Sequence, residues 1–237
     1  MNNFKQVNIQ NKGVGLVATR DINKGEIIII DTPITINTYD NNHIYSDIFQ
    51  LLYKVLNNTQ LTKKFMKLCP KNLIKEEPSK NYDNLIKNIT TELNKVKSIN
   101  KQVYDFFVTN YSKDELLLYC LKYMCNAFDY MGKPSFLFTG TLLNHSCLPN
   151  TIFIPTNGKV IFISARQIKK GEELTDNYVN ILDDINIRKK RLLEQYGFDC
   201  SCDRCIKLDY NRSTKLDDLA KELIEFKNNC LQKKYII

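Results

Sequence analysis

No apolar run in this 237-residue chain is long; the four isoleucines Ile27 to Ile30 fall far short of the roughly 20 residues that cross a bilayer. Nor does a basic stretch followed by an apolar run open the chain, so no leader or membrane association is expected, and an intracellular location, nucleus or cytoplasm, is. Histidine is scarce: His43 and His145 are the two, and neither is followed two residues later by the glutamate that a zinc deaminase needs as its proton shuttle. The eight cysteines, at 69, 120, 125, 147, 200, 202, 205 and 230, lack the regular spacing of a secreted disulfide framework. There is no compact Lys/Arg block with interleaved aromatics, so the net charge of +8 reads as part of an Asn- and Lys-rich composition rather than as a nucleic-acid site. Lys189-Lys190-Arg191 reads as a solvated helix face. No internal repeat is present.

What is there suffices for a sizeable core: 43% of the residues are hydrophobic, and one domain is expected. Val7 to Ile36 reads as short strands, with turns at Gly13 to Gly15 and Asn23-Lys24-Gly25, and the isoleucine run predicts a strand buried on both faces. From about Ile44 to Phe128 apolar residues recur at helical spacing, as in Ile48, Leu51, Leu52 and Val55, and in Leu116, Leu117, Cys120, Leu121 and Met124. Strand patterns return at Phe136 to Leu143, Thr151 to Pro155 and Val160 to Ser164, the last two joined by an Asn157-Gly158 turn. Asp184 to Tyr196 and Thr214 to about Cys230 read as helices. Two strand-rich stretches around a helical insert predict one β-rich domain whose halves meet in space.

Three segments carry candidate chemistry. Asn144-His145-Ser146-Cys147-Leu148-Pro149-Asn150 concentrates amides, an imidazole and a thiol at a strand end; turn duty for His145 and Asn150 and a Cys/His nucleophile pair are the competing readings. Cys200-Ser-Cys202-Asp-Arg-Cys205 is too tight for internal disulfides and suits one tetrahedral Zn²⁺, which needs a fourth ligand; Cys147 is the best candidate, since Cys69, Cys120 and Cys125 sit on helical faces. A Cys202/Cys205 redox pair is the alternative. Gly171-Glu172-Glu173-Leu174-Thr175-Asp176-Asn177-Tyr178 delivers a tyrosine from a short strand to a loop, and alone it is weak, because such a tyrosine is usually packing.

In order, Lys12-Gly-Val-Gly-Leu, Asn144-His-Ser-Cys147 with Pro149-Asn150, Glu172-Glu-Leu-Thr with Tyr178, and Cys-x-Cys-x-x-Cys resemble the SET-domain family of lysine methyltransferases. Cys125-Asn126-Ala-Phe128, the helical insert and Gln195-Tyr196-Gly-Phe198 point to its SMYD branch. Between Ile36 and Asn126, however, only His43, Cys69, Cys120 and Cys125 are available, so the MYND zinc finger of that branch is absent, and its C-terminal helical-repeat domain is not expected in the thirty or so residues after Cys205.

The resemblance implies a mostly β fold with a helical insert: a SET fold of small β-sheets (a β-clip), with a zinc-binding post-SET segment. Its parts are expected at 1–40 and 131–198 for the SET halves, 41–130 for the insert, 199–210 for the post-SET segment and 211–237 for a terminal helix. It further implies an S-adenosylmethionine-dependent methyl transfer to a lysine of a histone or non-histone protein, leaving S-adenosylhomocysteine. Lys12, Gly13, Val14, Gly15, Asn126, Asn144, His145, Tyr178 and Phe198 would contact the cofactor, Tyr178 would be catalytic, Tyr196 would line the lysine channel, and Cys147, Cys200, Cys202 and Cys205 would hold one structural Zn²⁺. A monomer with no membrane partner and no requirement for nucleic acid is expected. The rival reading is a catalytically silent SET module that binds a protein segment.

Overall fold

The computed structural model describes residues 3–36, 46–73, 82–206 and 210–232. Its elements run β1 (Phe4–Ile9), β2 (Gly13–Ala18), β3 (Ile27–Asp31), β4 (Ile34–Thr35), α1 (Asp47–Leu56), α2 (Thr59–Phe65), α3 (Tyr82–Ile99), α4 (Lys101–Asn110) and α5 (Lys113–Asn126). They continue with β5 (Ala127–Tyr130), β6 (Lys133–Phe136), β7 (Asn144–His145), β8 (Thr151–Thr156), β9 (Lys159–Ser164), β10 (Glu173–Asp176), α6 (Ile185–Tyr196) and α7 (Tyr210–Gln232). Two units emerge, Met1–Thr32 with Thr139–Ile237, and Pro33–Phe138.

In the first unit a four-stranded sheet has the order β1-β2-β10-β7. β1 and β2 form an antiparallel hairpin, Ile9 opposite Gly13, whose turn needs positive φ at Asn11 (61°) and Gly13 (76°), conformations that Asn and Gly tolerate best. β10 pairs antiparallel with β2 through Glu173 and Leu174, then parallel with β7, Thr175 opposite Asn144 and Asp176 opposite His145. This one short strand therefore brings the start of the chain to the Asn144-His145 segment. Buried Asn150 fixes it there, its amide donating to Glu173 O (2.8 Å) and its oxygen accepting from Thr175 N (2.8 Å). An amide that satisfies buried backbone groups on a neighbouring strand accounts for Asn150 without any ligand.

The second sheet of this unit, β3-β9-β8, holds the expected hairpin, with Thr156 opposite Lys159 and Gly158 at φ 79° in the two-residue turn. Ile152, Ile154, Ile161 and Ile163 pack with Ala220 and Leu223 of α7. Two expectations fail here. The isoleucine strand is not buried on both faces: β3 is an edge strand with an irregular register between Ile27 and Ile29, and Ile30 is 55% exposed. Nor does Phe136 to Leu143 continue as a strand, because the Asp31 carboxylate accepts from both Thr139 N (2.7 Å) and Gly140 N (3.0 Å) and starts a 3₁₀ turn over Gly140–Leu142.

α6 begins on Asp184, whose side chain accepts from Asn186 N at 2.8 Å, and stops at Gly197, φ 77°, where a left-handed residue ends the helix cheaply. In the second unit α1 buries Leu51, Leu52 and Val55 and α5 buries Leu116, Leu117, Cys120 and Leu121, as their spacing predicts, while Met124 faces solvent. Each such aliphatic side chain contributes about 1.5–3 kcal/mol. Ser112 and Glu115 form a capping box at the start of α5, and β4-β6-β5 make a small sheet.

One buried group in β10 opposes the fold. Asp176 has no hydrogen-bond partner on Oδ1, and burial pushes its carboxyl up to about 6. In the unfolded chain an aspartate titrates near about 3.9, so between those values the folded protein keeps a proton that the unfolded chain has released. Stability therefore falls as pH rises through this window and stays lower above it. Asp176→Asn is expected to raise stability at pH 7.5 by about 3 kcal/mol, with the gain vanishing toward pH 4. Urea midpoints at the two pH values check this; an equal gain at both would contradict it.

Candidate functional site

Cys147 lies two residues beyond the end of β7, and Cys200, Cys202 and Cys205 follow the Gly197 stop of α6. Their four sulfurs lie within 4.8 Å of one another, with Cys147 and Cys205 3.4 Å apart. A tetrahedral zinc with Zn–S bonds of about 2.3 Å spaces its sulfurs at roughly 3.8 Å, so the donor set fits that ion. The surroundings suit negative sulfur. Cys147 N donates to Cys202 Sγ (3.4 Å), His145 Nε2 stands 3.2 Å from Cys147 Sγ, and the guanidinium of Arg188, which donates to Asp183 O, is held in its charged form by the Cys147 and Cys205 sulfurs nearby. Hydrogen bonding among the four sulfurs lowers the thiols of Cys202 and Cys205 and raises those of Cys147 and Cys200, as a cluster sharing its protons must.

The two arginines around the cluster carried no signal in the sequence. Arg188, 3% exposed, sits one helical turn before Leu192, which packs among the same cysteines. Arg204, equally enclosed, donates to Cys147 O (3.1 Å) and to Ile181 O, and pairs with Asp217 of α7 at 2.7 Å. A charge so deep needs partners, and these are sulfurs, carbonyls and one carboxylate.

Beside the cluster opens a cavity of about 440 Å³, lined by Lys12, Asn144, His145, Tyr178, Phe198 and Cys202, among others. Glu173 ties together two of these lining side chains. One oxygen accepts from Lys12 Nζ (2.7 Å) and the other from Asn144 Nδ2 (2.9 Å). Glu173 was named in the sequence only as part of the Gly171 to Tyr178 segment, with no role of its own, since Gly-Glu-Glu opens many strands. Gly13, Val14 and Gly15 enter β2 immediately after Lys12. At Gly15 a Cβ would stand 2.6 Å from Asn144 Nδ2 and 2.8 Å from Ile9 Cγ1, closer than carbon atoms can approach. Gly15→Ala is expected to cost about 1–3 kcal/mol and to displace Asn144, readable as a lowered unfolding midpoint; a neutral result would show that the hairpin yields freely.

His145 is buried and central. Its Nδ1 accepts from Tyr178 N at 3.0 Å, and burial lowers its pKa to about 4, so the ring is neutral. Its centroid lies 5.3 Å from that of Tyr178 and 6.0 Å from that of Phe198. Tyr178 and Tyr196 stand 4.9 Å apart, and the Tyr178 hydroxyl donates to Leu143 O at 2.7 Å. Asn126, expected to contact the cofactor, lies in the second unit, where its amide donates to Cys69 O (2.6 Å) and Lys122 O (2.8 Å). Every other expected site residue is in the first unit. Among the described residues, no helix is long and apolar enough to cross a membrane.

A family model described as the SET domain matches residues 13–179. A SET domain-containing protein of Acanthamoeba polyphaga mimivirus is 42% identical over 219 residues, 91% of this chain and 83% of that protein. Mouse histone-lysine N-methyltransferase Smyd1 is 33% identical over 113 residues, which are 39% of this chain and 23% of the mouse enzyme. The histone-lysine N-methyltransferase SET5 of Vanderwaltozyma polyspora is 39% identical over 88 residues, 36% of this chain and 18% of the yeast protein. Among solved structures, Rubisco LSMT bound to AdoMet superposes with a TM-score of 0.59 at 15% identity, covering 84% of this chain and 52% of that one, a likeness of fold.

Proposed function

The chain belongs to the SET-domain family, and on that footing we propose that it is an S-adenosylmethionine-dependent protein-lysine N-methyltransferase. One observation carries the reading: segments near residues 12, 144, 178 and 198 converge on a single cavity whose wall includes a hydrogen-bonded tyrosine. Lys12, Gly13, Val14 and Gly15 would hold the amino-acid end of the cofactor, glycine letting the backbone come close. Asn144 and His145 would add polar contacts, and Phe198 would offer a flat face to the adenine. When bound, the cofactor supplies an electrophilic methyl group on a sulfonium and leaves as S-adenosylhomocysteine.

The chain's own groups supply the rest. The Tyr178 proton is committed to Leu143 O, so the phenolic oxygen is left as an acceptor that can orient an N–H of the target amine. Tyr196, packed on Tyr178, would form the channel for the aliphatic stem of the lysine. An amine enters that channel as the ammonium, pKa about 10.4 in water, and an aromatic wall that excludes water favours its neutral, nucleophilic form. Alignment of the amine with the methyl and the departing sulfur would be the main source of rate. The zinc proposed at Cys147, Cys200, Cys202 and Cys205 has four protein ligands and no open position, which makes it structural. The substrate is read as a lysine of a histone or non-histone protein, acted on by a monomer in the nucleus or cytoplasm without nucleic acid.

Purified protein incubated with S-adenosylmethionine and a protein array, then weighed by mass spectrometry, tests this. Lysine-borne methyl groups on a substrate or on the chain itself are expected. Donor binding without any methyl gain would favour a silent module that binds the cofactor, and no donor binding would sink the enzymatic reading and leave a silent protein-binding module.

A further inference from the structure

The reading above gives His145 only polar contacts to a cofactor, yet both nitrogens of its ring are already engaged. A backbone N–H can only donate, so Nδ1, 3.0 Å from Tyr178 N, must carry a lone pair. The ring proton therefore sits on Nε2, 3.2 Å from Cys147 Sγ, where a metal-bound thiolate is a natural acceptor. The position matters because β10 ends at Asp176. The parallel ladder closes with Asp176 opposite His145 and Ser146 N on Asp176 O, leaving Tyr178 just past the last rung. The imidazole provides the acceptor that the strand no longer provides.

We propose that His145 is a positioning residue whose neutral Nε2–H tautomer ties the cysteine cluster to the backbone of Tyr178, so that metal occupancy sets where the tyrosine stands. This rests on the zinc site and the Tyr178 role proposed above. With the metal in place, Cys147 is fixed and its sulfur holds the ring edge; the ring then holds the Tyr178 amide. When the metal leaves, the sulfur loses its fixed position, the ring is free to turn, and Tyr178 N–H loses its partner. The ring is 6% exposed and packs beside both Tyr178 and Phe198, so a turn would move the two aromatics together.

Two amides divide the imidazole. In His145→Asn, the amide oxygen falls near the place of Nδ1 and can still accept from Tyr178, but nothing reaches the sulfur. In His145→Gln, the amide nitrogen falls near the place of Nε2 and keeps the donor to Cys147, but the acceptor is lost. Zinc release to excess chelator is expected to be about 10-fold or more faster from His145→Asn than from the parent and within about threefold for His145→Gln. Conversely, His145→Gln is expected to lose at least about tenfold in kcat, a larger effect than on donor KM, the pattern of a misplaced catalytic group and not merely of a lost binding one. A direct readout needs no activity: the chain has two histidines, so ¹⁵N-histidine labelling should resolve one as the Nε2–H tautomer in the zinc-loaded protein. An Nδ1–H tautomer, equal zinc release from the two variants, or a purified chain that takes up no zinc overturns the proposal. A zinc-loaded parent with the expected tautomer but no methyl transfer would instead sink the enzymatic reading and leave this linkage standing.

Discussion

Tyr178→Phe is expected to lower methyl transfer by about 10²–10³-fold while donor affinity stays within a few-fold. The ring is fixed independently of its hydroxyl, packed against Tyr196 at 4.9 Å and His145 at 5.3 Å, with its backbone N–H held by His145 Nδ1. What the substitution removes is one oxygen: the donor to Leu143 O and, on the same atom, the acceptor proposed for the amine. Loss of the first should cost about 1 kcal/mol of stability, a modest drop in melting temperature. If the hydroxyl had only that structural task, turnover of the folded variant would match the parent. Single-turnover rates at saturating donor, set beside the calorimetric donor affinity, separate the two; a rate within threefold of the parent would remove Tyr178 from the chemistry.

What the sequence disclosed and what it hid divide along physical lines. The helices of the insert were legible because burial there follows one period, and Leu51, Leu52, Val55, Leu116 and Cys120 are buried where the 3.6-residue spacing puts them. The Asn157-Gly158 hairpin was legible because its turn demands φ values that few residues accept. The strand expected through Leu143 was not, since the departure is imposed by a carboxylate 108 positions earlier, Asp31, and no local pattern encodes such a partner. Ile30 misled for the same reason: four isoleucines state that a strand forms, but whether it lies at an edge depends on what pairs beside it. At the site, Cys147 could be named as a fourth sulfur from its chemistry. Glu173, Arg188 and Arg204 could not, because a charged residue in sequence looks solvated until the fold brings it two partners. Asn126 shows the converse, a residue named through resemblance whose amide is occupied by Cys69 O and Lys122 O.

Removing the proposed zinc is expected to undo the C-terminal part of the site before the rest of the chain. Four sulfurs within 4.8 Å are stable as a bound tetrathiolate, and as bare thiols or thiolates they crowd one another. The larger penalty falls on Arg188: buried at 3% exposure and held charged by the Cys147 and Cys205 sulfurs nearby, it would keep its charge while those sulfurs became neutral thiols. Breaking a buried pair from one side costs about 3–5 kcal/mol, comparable to much of a domain's net stability. The segment from Tyr196 to Cys205 keeps other ties, Arg204 to Cys147 O, Ile181 O and Asp217 and Tyr196 packed on Tyr178, but the first of these binds to a cysteine of the cluster itself, and the surface pair Lys189 to Asp199 at 3.0 Å is worth little in water. Amide hydrogen exchange should therefore rise by about 10²-fold or more between Tyr196 and Cys205 when a strong chelator strips the protein, since about 3 kcal/mol corresponds to two decades. Amides of Leu51 and Leu52 in α1, inside the insert's own core, should keep their protection. Readdition of Zn²⁺ should reverse the change, and Cys200→Ser should reproduce it without chelator. Unchanged exchange and undiminished turnover after complete metal removal would show that the cysteine cluster does not support Tyr196 and Phe198.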